Sequence, residues 1–183
     1  MKRAFDFTAS IFLVVGLAPI FLGVSILLLV TSGSPVFYSQ TRIGKDLVPF
    51  RMFKFRSMKT GSDKLGHSTA ANDERITRVG KFLRRSSLDE LPQLMNVILG
   101  DMSLVGPRPC VPQQEAENPV DYWIERHTVQ PGITGLAQMR LRSLATHQQV
   151  IEYDLEYVRN HNLISDVWIL IKTFASLLNG KSN

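Results

Sequence analysis

A long apolar stretch lies close behind the first residues of the chain. No charged side chain occurs between Phe7 and Thr41, and Ile11 to Val30 is an apolar run of roughly the 20 residues that a bilayer core requires. A cleaved leader has a shorter apolar region and a small-residue cleavage site, and neither fits here. Pro19 stands near the middle of the run. It removes a helical hydrogen bond there and can turn the helix back toward the leaflet it entered. Lys2 and Arg3 precede the run, and Arg42, Lys45, Arg51, Lys54 and Arg56 follow it. Counting positive charge places both flanks on the cytoplasmic side. Two readings stand: a re-entrant hairpin that keeps to one leaflet, or a kinked transmembrane helix with a short tail outside. Asp6 beside Lys2 and Arg3 is either a polar anchor at the interface or part of a solvated tail.

After this segment the hydrophobic period changes. Ser34 to Gln40 reads as a strand, Gly44-Lys45-Asp46 as a turn and Pro49 to Met58 as the returning strand of a small hairpin. In Phe53-Lys54-Phe55-Arg56 the two-residue period puts the aromatics on one face. Lys54 and Arg56 then share the other face, either as a joint phosphate site or as a solvated basic surface. Thr60 to Asp73, rich in Gly, Ser, Thr, Asp and Asn, reads as a loop.

Helical spacing returns at Ile76, Val79, Phe82 and Leu83, and predicts a basic amphipathic helix over Glu74 to Ser86. Such a helix lies on an anionic membrane surface or packs its apolar face on a core. An apolar helix is predicted from Leu88 to Leu99, stopped near Gly100. His147 to Asn160 is a further helix, with Glu152, Asp154 and Glu156 read as its solvated face. Leu163 to Leu178 is apolar around much of its circumference; it carries Trp168 and either lies at a headgroup boundary or closes the core. The pattern predicts an α+β fold, mainly helical, in a single domain over residues 1–183. Within it, 1–33 form the re-entrant membrane part and 34–183 a cytoplasmic part.

Charge narrows the partners. A net charge of +5 and a pI near 9.6 call for an anionic one: nucleic acid, a phospholipid surface or a phosphorylated substrate. The basic strand carries no nucleic-acid-binding signature. Cys110 is the sole cysteine, so no intrachain disulfide forms. His67, His127, His147 and His161 show no metal-ligand spacing.

Candidate chemistry gathers at Asp89 and Glu90, which follow a basic cluster and precede Gly106-Pro107-Arg108-Pro109. Adjacent carboxylates do not flank a bond from two sides, so glycosidase geometry fits poorly. A carboxylate nucleophile with a metal-binding neighbour fits better, because Arg, Lys and a divalent cation offset phosphoryl charge. Ser87-Leu88-Asp89-Glu90 also matches a capping box, compatible with that role, in which a helix N-terminus keeps Asp89 ionised. Pro107 and Pro109 present Arg108 from a stiff loop. Pro131 to Gln138 is a second stiff loop, a reader of nucleotide or sugar or simply a turn.

These motifs, in order, resemble the bacterial sugar transferases known as monotopic phosphoglycosyl transferases. The likeness rests on Lys2-Arg3 with Asp6, the Pro19 break, Ser34-Pro35-Val36-Phe37 with Gln40 and Arg42, Lys54 to Met58, Ser87 to Asn96, Gly100 to Pro109 and Pro131 to Gln138. Ala18 departs from the pattern, since many relatives have Ser before the membrane proline. Larger relatives carry extra membrane helices ahead of this unit, and without them the chain looks like the minimal catalytic form. The resemblance implies transfer of a sugar 1-phosphate from a UDP-sugar to undecaprenyl or another polyprenol phosphate, with release of UMP. That is the first membrane step of glycan assembly, be it O-antigen, capsule, exopolysaccharide or glycoprotein.

Carried over, Asp89 is the nucleophile that forms an aspartyl-phosphosugar, and Glu90 completes the dyad and helps place Mg²⁺. Lys54, Arg56 and Arg108 contact phosphates, Thr134 and Gln138 contact the substrate, and Arg84 ties the catalytic helix to the helix broken at Pro19. Expected partners are the UDP-sugar, the polyprenol phosphate, membrane lipids and a second copy of the chain as a homodimer, with no nucleic acid. The expected place is the cytoplasmic face of a bacterial inner membrane. A basic membrane adaptor without catalysis and a Mg²⁺-dependent pyrophosphatase are the rivals.

Overall fold

The computed structural model describes residues 1–62, 73–141 and 146–178. Most of the loop expected over Thr60 to Asp73, with His67, lies outside them. Two helices open the chain, α1 (Lys2–Gly16) and α2 (Ala18–Ser32), bent by 60° across Leu17. Pro19 is the cause. It sits in the first turn of α2, where its missing N–H is tolerated but would have broken a continuous helix. Among the described residues no single helix is long and apolar enough to cross a membrane; the bent pair together is.

The β-hairpin follows as β1 (Phe37–Ile43) and β2 (Pro49–Phe55), antiparallel, with Phe37 opposite Phe55 and Tyr38 opposite Lys54. Its pairing agrees with the sequence pattern, although β1 begins three residues later than expected and β2 stops three residues sooner. Thr77 caps α3 (Arg78–Arg85) through its side chain, which accepts from the Gly80 amide. This helix starts four residues later than its periodicity predicts, because Ile76 is drawn into an antiparallel bridge with Met58. Leu88–Glu90 forms one 3-10 turn, and α4 (Gln93–Leu99) ends at Gly100, whose φ of +100° is the left-handed stop that favours glycine.

A second sheet was not expected from the sequence. β3 (Ser103–Val105) and β4 (Gly132–Thr134) pair in parallel, so the stretch from Pro131 to Gln138 is a strand running into a helix, not a loop. The remaining helices are α5 (Val120–Arg126), α6 (Leu136–Leu141), α7 (His147–Asn160) and α8 (Leu163–Leu178). The chain is mostly helical, with the small antiparallel hairpin as its main sheet.

Two apolar clusters join these parts. Phe50, Met52, Val97, Leu104, Tyr157 and Ile169 form the larger, with Phe5, Ala9 and Val14 of α1 packed on it. Val24 and Leu28 of α2 meet Phe55 and Leu83 in the smaller, flanked by Leu88 and Leu91. Each half of the bent pair therefore rests on a different part of one body. Elsewhere both helices stay uncovered, with Phe12, Val15, Leu22 and Val30 all exposed. α8 does two things: Ile169 is in the core while Ile164, Ile171 and Phe174 face outward.

Polar contacts fasten both ends of the pair. Lys2 Nζ bonds Asp166 Oδ2 at 2.5 Å and Val105 O at 3.1 Å. Asp6 is buried and accepts from Ser103 Oγ at 2.8 Å. Arg3 donates to the last carbonyls of α4, Val97 O and Ile98 O. At the far end Arg56 donates to Ser32 O and Gly33 O, each at 2.6 Å.

Candidate active site

A cavity of about 750 Å³ opens between the hairpin, the turn at Leu88–Glu90 and α6. The chain brings Lys54, Asp89, Glu90 and Arg108 together on its wall. β2 delivers Lys54; the turn after α3 delivers the carboxylates. Lys54 Nζ lies 2.7 Å from Glu90 Oε1, and Arg108 Nη2 lies 3.0 Å from the same oxygen. One carboxylate oxygen thus bridges two cations that are far apart in sequence.

The two acids have opposite electrostatics. Burial pushes the Asp89 carboxyl up, against the pull of Lys54. Burial acts on Glu90 too, but Arg108 and Lys54 together outweigh it and hold the carboxyl down to about 2. Lys54 is itself lowered, first by burial and then by Arg108, with Glu90 opposing both. Glu90 therefore stays charged and paired, and Asp89 is the buried carboxylate with no direct ion pair among the described residues. Adjacent acids pushed apart in this way separate into a fixed counter-ion and a reactive group.

The capping box expected at Ser87 does not form. Ser87 has φ 55° and ψ 15°, a left-handed residue that makes no side-chain cap, whereas an N-cap needs extended backbone. Only a 3-10 turn follows, so Asp89 is not held ionised by a helix N-terminus; its environment is set by burial and by Lys54.

Other expected site residues are distributed differently. Arg56 lines the cavity beside Lys54, but it is buried and gives its guanidinium to Ser32 O, Gly33 O and Thr60 Oγ1. Arg84 lines the cavity but bonds Ser57 Oγ at 2.9 Å and not the bent helix pair. The expected tie between α4 and that pair is made by Arg3 instead. Gln138 lines the cavity from α6, with Nε2 3.5 Å from Ile133 O. Thr134 does not line it; its hydroxyl shares a hydrogen bond with Thr173 Oγ1 at 2.9 Å.

Sequence reasoning missed a buried support. Arg126 Nη2 lies 2.7 Å from Asp154 Oδ2, which also accepts from Tyr122 OH at 2.9 Å. The same guanidinium donates to Arg108 O at 2.9 Å and contacts Cys110 Sγ. Arg42 holds the neighbouring carbonyl, Pro109 O, at 2.8 Å, and burial followed by repulsion from Arg108 lowers its pKa to about 10. Asp154 is thus not on a solvated face. Its signal was its helical phase, shared with Ile151 and Tyr157, which are buried with it.

No group of three or more metal-ligating side chains occurs among the described residues. Asp89 and Glu90 nonetheless suit a Mg²⁺ that takes one or two carboxylates and completes its shell with substrate phosphates and water.

The family described as Bacterial sugar transferase matches residues 1–180. The chain is 42% identical, over 94% of its length, to an undecaprenyl-phosphate glucose phosphotransferase of Komagataeibacter xylinus, and spans 35% of that protein. It is 41% identical, over 99% of its length, to a UDP-glucose:undecaprenyl-phosphate glucose-1-phosphate transferase of Xanthomonas campestris pv. campestris, and spans 39% of it. The exopolysaccharide production protein PSS of Rhizobium leguminosarum bv. phaseoli is 44% identical over 97% of this chain, which spans 95% of that relative.

Proposed function

The chain belongs to the bacterial sugar transferase family, and from that premise we propose that it moves a sugar 1-phosphate from a UDP-sugar to a polyprenol phosphate such as undecaprenyl phosphate. The observation that carries the reading is the asymmetric dyad: a buried Asp89 without a direct ion pair beside a Glu90 locked between Lys54 and Arg108.

A carboxylate oxygen of Asp89 attacks the phosphorus that bears the sugar. The bond from that phosphorus to the bridging oxygen breaks, and UMP leaves with the electron pair. A phosphate oxygen of the acceptor then attacks the same phosphorus, and Asp89 departs as a carboxylate. Lys54 and Arg108 offset phosphoryl charge in both steps while Glu90 keeps them in place. Mg²⁺ held by Asp89 and Glu90 would further neutralise the diphosphate. A pyrophosphatase would give the intermediate to water; the covalent route instead makes release of UMP precede lipid addition.

The reading extends to the protein's place. Residues 1–33 enter one leaflet and return, and 34–183 stay on the cytoplasmic side of a bacterial inner membrane, as one catalytic domain. Support comes from the 60° bend and from the ends: Lys2, Arg3 and Arg56 anchor both termini of the pair to one body. The uncovered apolar faces of α1, α2 and α8 supply the lipid contact.

Mixing the protein with UDP-sugars tests the reading. A UMP burst equal to enzyme, followed by lipid-linked sugar diphosphate only when polyprenol phosphate is added, is the expected result. Chelation stops the burst and Mg²⁺ restores it. Free sugar phosphate formed without lipid would mean hydrolysis.

A further inference from the structure

The cavity has two kinds of wall. One carries Lys54, Glu90 and Arg108; the other carries Pro35, Phe37 and Phe55. Among the described cavity-lining residues, Phe37 is the one large apolar side chain left mostly open, 51% exposed, whereas Phe55 is 1% exposed.

These rings are not scattered. Phe37 and Phe55 face each other across the hairpin, stacked at 5.2 Å with planes 21° apart. Phe55 meets Phe21 of α2 at 5.6 Å. Leu88, the residue before Asp89, packs on the same cluster. An aromatic row therefore starts at the bent helix pair and ends, beside the dyad, on an uncovered ring at a cationic cavity. Burying both faces of a cross-strand aromatic pair is favourable, and here one face is left free.

That surface suits an amphiphile whose anionic head enters the cavity and whose tail lies back along α2. Deepening the function proposed above, and resting on it, we propose that Pro35 and Phe37 form the subsite for the first isoprene units of the acceptor. A soluble nucleotide has no need of a wall continuous with α2; a prenyl chain arriving along that apolar helix does. The subsite selects acceptors by the few carbons next to the phosphate and aims that phosphate at the phosphorus held on Asp89.

Steady-state transfer in detergent micelles with Phe37→Ser and Phe37→Leu tests this, using undecaprenyl phosphate and the tail-less methyl phosphate as acceptors. For Phe37→Ser, kcat/KM toward undecaprenyl phosphate is expected to fall roughly tenfold, and toward methyl phosphate, which has no isoprene unit, less than about twofold. Phe37→Leu recovers most of the loss, which separates a lost contact from a lost fold. Equal losses on both acceptors, a raised KM for the UDP-sugar, or no loss at all would overturn the subsite. So would a matching loss of co-sedimentation with phosphatidylglycerol vesicles, since the ring would then act as a membrane anchor. A UMP burst missing from the unsubstituted protein would instead refute the proposed function.

Discussion

Arg126 donates to the backbone carbonyl of Arg108 at 2.9 Å, so a buried guanidinium fixes the loop whose own guanidinium reaches Glu90. Both Arg126 and Asp154 have side chains under 5% exposed. Charges this deep contribute little net stability as a pair but are costly when separated. Arg126→Ala is expected to destabilise the fold by about 3 to 5 kcal/mol, read by urea unfolding. Asp154→Asn in the same background should recover part of that loss, because the stranded carboxylate is gone.

Asp89→Asn keeps the shape of the side chain and removes the proposed nucleophile. UMP release is expected to fall by at least about a thousandfold, with no aspartyl-phosphosugar trapped from radiolabelled donor. Unchanged turnover would remove Asp89 from the covalent role.

His127 is buried, with Nδ1 2.6 Å from Trp123 O. Burial lowers its pKa from 6.5 to about 4, with Arg126 adding to the effect and the Trp123 hydrogen bond opposing it. The fold keeps the ring neutral while the unfolded chain takes up a proton below 6.5. Stability is therefore complete above that pH and is lost as pH falls from 6.5 toward 4, by on the order of 3 kcal/mol in all. Unfolding free energies at pH 7 and pH 5 should differ in the native chain and converge in His127→Asn.

Gly80 lets α3 lie against the strand end. A Cβ there would sit 1.9 Å from Ser57 O, a backbone atom that does not rotate away. Gly80→Ala is expected to cost about 3 kcal/mol and to pull Arg84 off Ser57. Thermal unfolding gives the first effect; the second would appear as a weaker KM for donor.

Topology is tested by thiol labelling in a Cys110→Ser background. A cysteine placed ahead of Lys2 and one at Lys45 should react from the same side of sealed vesicles. Labelling from opposite sides would establish a full span.

Local patterns were legible where local chemistry decides them. Pro19 marks a break because proline cannot donate, and the alternation around Phe53 makes a strand whatever it pairs with. The dyad was visible as two acids among cations. Its asymmetry was not, because Lys54, Arg108 and Glu90 come from separate segments and only the packed chain brings both cations to within 3.0 Å of Glu90. Asp154 was misplaced, and the partners of Arg56 went unforeseen, for the same reason: strand alternation does not say where a guanidinium ends, and acidic spacing on a helix does not reveal the Arg126 that buries it. The parallel pairing of Ser103–Val105 with Gly132–Thr134 joins three-residue strands, too short for any period to announce.

The sequence by itself determined an apolar segment broken at Pro19, a basic chain with one hairpin, and a pair of adjacent acids among cations. Tertiary structure alone decided which acid is free, which cations hold the other, and that both ends of the bent helices attach to one body. Period and propensity are properties of neighbours along the chain, whereas burial and ion pairing depend on what lies across space.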